Sequence, residues 1–161
     1  MKLMRVGPAG SEIPAILDAG GTVRSLEGIV PDIAGDVLTP EGLARIAALD
    51  LSALPAVTVN RIGPCVGRVG KFLCIGLNYA DHAAESGLPI PDEPVIFTKA
   101  TSSIIGPDDD IQIPRGSTKT DWEVELGIVI GKGGVYIDEA EAMDHIAGYC
   151  VVNDVSEREF Q

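Results

Sequence analysis

The chain has 161 residues and a formal net charge of −12, with 45% apolar and only 4% aromatic side chains. That length allows one domain, or a small one with part of another, and an aliphatic core. The acidic balance argues against a nucleic-acid or anionic-membrane partner, since both demand a basic footprint, and no apolar stretch reaches the ~20 residues of a spanning helix. The 19 Gly and 11 Pro predict many turns and short elements.

Residues 1–20 hold no continuous apolar segment, because Pro8, Glu12, Pro14 and Asp18 interrupt it, so no secretory signal is visible. Cys65, Cys74 and Cys150 are odd in number and widely spaced. They read as reduced packing residues of a cytoplasmic protein, with neither a disulfide frame nor a zinc site.

Lys2–Val6, Ile13–Leu17 and Thr22–Leu26 read as short strands separated by Gly7-Pro8 and Gly20-Gly21. Thr39-Pro40-Glu41 supplies a cap, a proline at the first helical position and an acid in the first turn. Leu43, Ile46, Ala47 and Leu51 follow at helical spacing. Residues 1–60 thus form a small N-terminal module, and the Gly- and Pro-rich residues 61–70 a connector to a second domain over 71–161.

In that second part, Phe72–Leu77 is an apolar run suited to a buried strand. Asn78 is a possible cap for a helix over Ala80–Glu85, with Gly87 as its stop. Pro94–Lys99 reads as a strand and Ile111–Pro114 as a short extended piece. In Asp121–Gly131, Trp122, Val124, Leu126, Ile128 and Ile130 alternate as the inward face of a half-buried strand. Gly131-Lys132-Gly133-Gly134 lacks phosphate-loop spacing and reads as a hairpin turn. Asp138–Ala147 has a helical pattern with Ala140, Met143 and Ala147 inward, and Gly148–Asn153 is a last apolar strand. Ser156–Gln161 reads as the start of another helix, so the strands have few later partners and the second domain is expected to be incomplete.

Glu123 and Glu125 project from the polar face of the acidic strand, about 7 Å apart. Side chains so placed repel unless water or a cation screens them, and hard divalent cations take oxygen ligands. The alternative is a solvated strand face. Asp154, after the last apolar strand, is a third candidate oxygen ligand or else a cap for the segment at Ser156. His82 and Glu85 stand at i and i+3. A carboxylate that stabilises a protonated imidazole makes a general base near neutral pH; the alternative is a surface contact. Lys99, Arg115 and Arg158 are candidate anion binders or solvated cations, and His145 reads as a surface residue.

Gly76-Leu77-Asn78-Tyr79-Ala80-Asp81-His82, Glu93-Pro94-Val95-Ile96-Phe97-Thr98-Lys99, Asp121-Trp122-Glu123-Val124-Glu125-Leu126 and Asn153-Asp154-Val155-Ser156, in that order, closely resemble the fumarylacetoacetate hydrolase family. Residues 1–60 resemble the N-terminal module of its bacterial members acting on 2-oxo acids. The resemblance implies an α+β fold, a mixed β-roll with outer helices, usually assembled as a homodimer. It implies a divalent ion, commonly Mg²⁺ with Mn²⁺ or Ca²⁺ as alternatives, on Glu123, Glu125 and Asp154. It makes His82 and Glu85 a water-activating dyad and places Lys99 at the site. The implied activity is hydrolysis of a carbon–carbon bond in a 2,4-dioxo acid, such as a 2,4-dioxo-3-deoxy sugar acid or an acylpyruvate. Isomerisation of 2-hydroxyhepta-2,4-diene-1,7-dioate, decarboxylation of a 2-oxo diacid, ureidoglycolate lyase activity and a non-catalytic binding module are the alternatives.

Overall fold

The computed structural model describes residues 1–160. Residues 1–67 with those from 106 onward make one compact unit, and residues 68–105 a second, so the expected 71–161 region contributes to both. The architecture is α+β, with short strands and few helices.

In the larger unit, β1 (Lys2–Val6), β2 (Ile13–Leu17) and β3 (Val23–Ser25) form an antiparallel meander. These are the expected strands, the third slightly shorter. Helix α1 (Pro40–Ala47) starts where the proline and cap place it. The Thr39 hydroxyl accepts from the Gly42 amide at 3.1 Å, satisfying one of the unpaired N–H groups of the first turn. Ile16, Leu26, Ile33, Val37, Leu38 and Ile46 pack into an aliphatic core. Around it, Arg61 binds Asp109 and reaches Glu12 at 2.9 Å, while Arg5 binds Asp32 at 2.7 Å. This network ties the 106–110 turn to the N-terminal strands.

Strand β7 (Val124–Ile130) pairs antiparallel with β8 (Ile146–Asn153), opposing Val124 to Asn153 and Ile128 to Tyr149. Val129 and Ala147, from the pair's covered face, pack against the aliphatic core. Beside it run β6 (Thr120–Asp121) and β9 (Ser156–Glu157), also antiparallel. The smaller unit holds β4 (Leu73–Gly76), antiparallel to β5 (Val95–Thr98), and helix α2 (Ala80–Glu85) between them. Gly87, at φ +66°, ends that helix in a conformation costly for other residues.

Several expectations are corrected. The alternating apolar face of the acidic strand points outward: Trp122 is 71% exposed and Leu126 59%. Periodicity identifies a uniform face, but burial needs a second layer, and among the described residues the only such layer lies on the other side. The β4 run is likewise not buried, with Leu73 57% exposed. Tyr79 precedes α2 in place of Asn78, with no side-chain cap. Ile111–Pro114 joins no strand. Glu139–His145 is a 3-10 stretch, in which Met143 is exposed. His145 is buried instead of on the surface, its Nδ1 2.7 Å from the Lys132 carbonyl oxygen. Residues 131–145 form a long connection, so Gly131–Gly134 is only its beginning. Ser156-Glu157 is strand β9 where a helix was expected; Gln161 lies outside the described residues. No helix among the described residues is long and apolar enough to cross a membrane.

Candidate active site

The acidic patch is built by strand register. The Asp154 amide donates to the Glu123 carbonyl at 2.8 Å, placing these residues opposite each other where β7 and β8 meet the flanking strands. The Glu123 amide in turn donates to Asn153 Oδ1 at 3.1 Å. Val124 faces Asn153 and Glu125 faces Val152, so Glu125 is the diagonal neighbour of Asp154. Alternation puts Glu123, Glu125 and Asp154 on the covered face, where all are half-buried.

That patch already contains a cation. The Arg158 guanidinium pairs with the Glu123 carboxylate and lies 3.0 Å from Asp121 Oδ2. Its hydrogen bond, with the Trp122 amide, holds the Asp121 carboxyl below the usual carboxylate range. The two carboxylates in turn raise the Arg158 pKa. Sequence alone left Arg158 undecided. The missing signal was the pairing of Asp121 with Ser156, which carries residue 158 back beside the acidic strand.

Among the described residues no three His, Cys, Asp or Glu side chains are grouped closely enough to hold a metal ion. The three carboxylates therefore share a face without converging. As donors they fit a hard cation: they are oxygen-only, adjacent and half-buried. Binding one would require Glu123 to turn from Arg158 toward Glu125 and Asp154.

The other candidates belong to the smaller unit. His82 and Glu85 lie on α2, both exposed, and no hydrogen bond or ion pair joins them. A six-residue helix places them on neighbouring turns, but i,i+3 spacing alone does not bring the imidazole to the carboxylate. Lys99 follows β5 and is half-buried, its amide bonded to the Phe72 carbonyl at 3.1 Å. A shallow cleft of about 500 Å³ in the larger unit is lined by Thr39, Pro40, Glu41, Lys132, Met143, Asp144 and Ile146, none of them a candidate.

Residues 71–161 match the model of the fumarylacetoacetate (FAA) hydrolase C-terminal region. The chain belongs to the fumarylacetoacetate hydrolase family. A relative from Burkholderia multivorans, provisionally named a hydrolase, is 66% identical over all of this chain and 57% of its own length. The fumarylacetoacetate hydrolase from psychrophilic Exiguobacterium antarcticum is 30% identical with a TM-score of 0.78, over all of this chain and 58% of that one. A Mycobacterium abscessus protein, provisionally assigned as a 2-hydroxyhepta-2,4-diene-1,7-dioate isomerase, is 31% identical with a TM-score of 0.75. The match covers 99% of this chain and 54% of that protein. The chain thus spans little more than half the length of the curated relatives it matches. Family and names together support an enzyme.

Proposed function

We propose that the protein hydrolyses a carbon–carbon bond in a 2,4-dioxo acid and releases pyruvate or a related 2-oxo acid. The observation that carries this reading is the register that sets Asp154 opposite Glu123 and diagonal to Glu125 within a member of this family. A divalent ion held by Glu123, Glu125 and Asp154, most simply Mg²⁺, would supply Lewis acidity for the substrate's carboxylate and 2-oxo oxygens. The protein's own residues have separate work. The His82 imidazole takes a proton from the water that attacks the 4-oxo carbon, and Glu85, turned toward it, stabilises the imidazolium. The Lys99 ammonium binds a substrate carboxylate. The bond between carbons 3 and 4 breaks, and carbon 3 is finally protonated to give the 2-oxo acid. We place the enzyme in the cytoplasm as a homodimer.

A second reading, isomerisation of a 2-hydroxy-diene diacid, is favoured by the solved Mycobacterium abscessus relative provisionally given that activity. One experiment separates them: the complete gene product is incubated with an acylpyruvate and Mg²⁺, or with the diene diacid. Metal-dependent pyruvate release supports hydrolysis. An isomerised diacid with no cleavage of the acylpyruvate replaces that reading with the second. Inertness toward both, with and without metal, leaves a binding module.

A further inference from the structure

Two cysteines separated by most of the chain meet in the larger unit. Cys65 and Cys150 are both free and partly exposed, and their thiols hydrogen-bond to each other. The contact depends on local backbone features. Cys150 lies on the covered face of β8 opposite Gly127. A Cβ at Gly127 would stand 2.7 Å from the Cys150 sulfur, so the missing side chain leaves that sulfur its place over β7. Cys65 is held from the other side. The Gly67 amide donates to the Ile33 carbonyl at 2.9 Å, and Val66 packs against the aliphatic core. Arg5 flanks the same segment: its Nη1 reaches the Pro64 carbonyl, and its Nε would lie 3.0 Å from a Cβ on Gly67.

We propose that Cys65 and Cys150 form a hydroperoxide-reactive thiol pair, with Cys65 the nucleophile and Cys150 the resolving thiol. The Cys65 sulfur attacks a peroxide oxygen and the O–O bond breaks. The departing hydroxide takes a proton and leaves as water, with sulfenic acid on Cys65. The Cys150 sulfur then attacks the Cys65 sulfur and loses its proton, and the hydroxyl departs as a second water. Two thiols lose two electrons, one peroxide is reduced and one disulfide forms.

The electrostatics agree with these roles. Hydrogen bonding from Cys150 chiefly, with the Cys65 and Val66 amides and Arg5, lowers the Cys65 thiol to about 6 against the opposition of burial. Donation to Cys65, burial and the neighbouring charge push Cys150 upward. Cys65 is therefore the thiolate near neutral pH, the form that reacts. Nucleophilicity falls with pKa, so the gain in rate is modest, about fourfold at pH 7 for a shift of this size. Selectivity comes from the neighbouring thiol, which traps the sulfenic acid before further oxidation.

The test treats the reduced chain with stoichiometric hydrogen peroxide, alkylates the remaining thiols and maps the peptides without reductant. The expected result is one intramolecular Cys65–Cys150 crosslink, with Cys74 still alkylated. In Cys150→Ser, dimedone should capture a sulfenic acid at Cys65; in Cys65→Ser, the crosslink and the capture should both vanish. The wild-type peptide map stands even if a variant folds poorly. Cys65 and Cys150 both remaining alkylatable after peroxide, or crosslinks only between molecules, would overturn the proposal.

Discussion

Replacing Leu26 by alanine should destabilise the chain far more than the same change at Leu126, although sequence pattern marks both as inward-facing. Leu26 is fully buried among Ile16, Ile33, Val37, Leu38 and Ile46, whereas Leu126 is 59% exposed. Truncating Leu26 removes about three methylene-equivalents, a transfer loss near 2.4 kcal/mol at ~0.8 kcal/mol each. The cavity adds up to roughly 1.5 kcal/mol at ~24 cal/mol per Å³ if the site does not collapse, so about 2.5–4 kcal/mol is expected. At about 2–4 °C per kcal/mol for a chain of this size, the melting midpoint should fall by roughly 5–15 °C. Leu126→Ala, on an uncovered strand face, should cost within about 0.5 kcal/mol. Thermal unfolding of the 161-residue chain, followed by circular dichroism, measures both. Comparable losses at the two positions would refute the reasoning, because the β7 face would then have to be covered in the folded protein.

Thr39→Ala removes the hydroxyl that caps α1 and should cost about 1 kcal/mol in urea unfolding; no change would mean that water caps that amide equally well. Burial pushes the Glu12 carboxyl upward, but Arg61 and Arg5 outweigh it and hold it below its ordinary 4.5. Asp109, bonded to Arg61, is likewise held below 3.8. A carboxylate whose pKa is depressed in the folded state stabilises above its unfolded value and loses that contribution as pH falls through the folded one. The melting midpoint should therefore decline below pH 4.5, less steeply in Glu12→Gln, and a rising midpoint over that range would contradict the network. Mg²⁺ at about a hundred times its dissociation constant should stabilise the protein by ~2.7 kcal/mol if Glu123, Glu125 and Asp154 bind it. The shift should vanish in Glu123→Gln/Asp154→Asn, and its persistence there would remove these residues from the site.

Much of the local structure was legible because it is locally determined. A hydroxyl before a proline and an acid starts α1 at Pro40, and a glycine beyond Glu85 ends α2. The strands of the N-terminal meander are bounded by their own turn residues. The candidate site was legible in composition, since the carboxylates of the acidic strand and of the later Asn-Asp pair carry the family's pattern. Its electrostatics were not. Arg158 reaches Glu123 only because β9 returns antiparallel to β6, a pairing of two residues per strand with no periodicity of its own. The Cys65–Cys150 contact likewise depends on long-range docking, and wide sequence spacing gave no hint of it.

The outward face of β7 shows most clearly where a sequence argument stops. Trp122, Val124, Leu126, Ile128 and Ile130 specify that the two faces of the strand differ, but alternation carries no label for which face meets the core. The label comes from the neighbouring layer. Gly131 lies so close to Leu38 that a Cβ there would come within 2.1 Å of its carbonyl oxygen, and Val129 and Ala147 pack on the aliphatic core. These contacts commit the Glu125–Gly127–Val129 side inward. The same commitment half-buries Glu123 and Glu125, where charge needs a partner more than it does in water. Arg158 meets that need at Glu123, so the cation beside Glu123 and the open apolar face of β7 follow from one choice of which side of the strand faces the core.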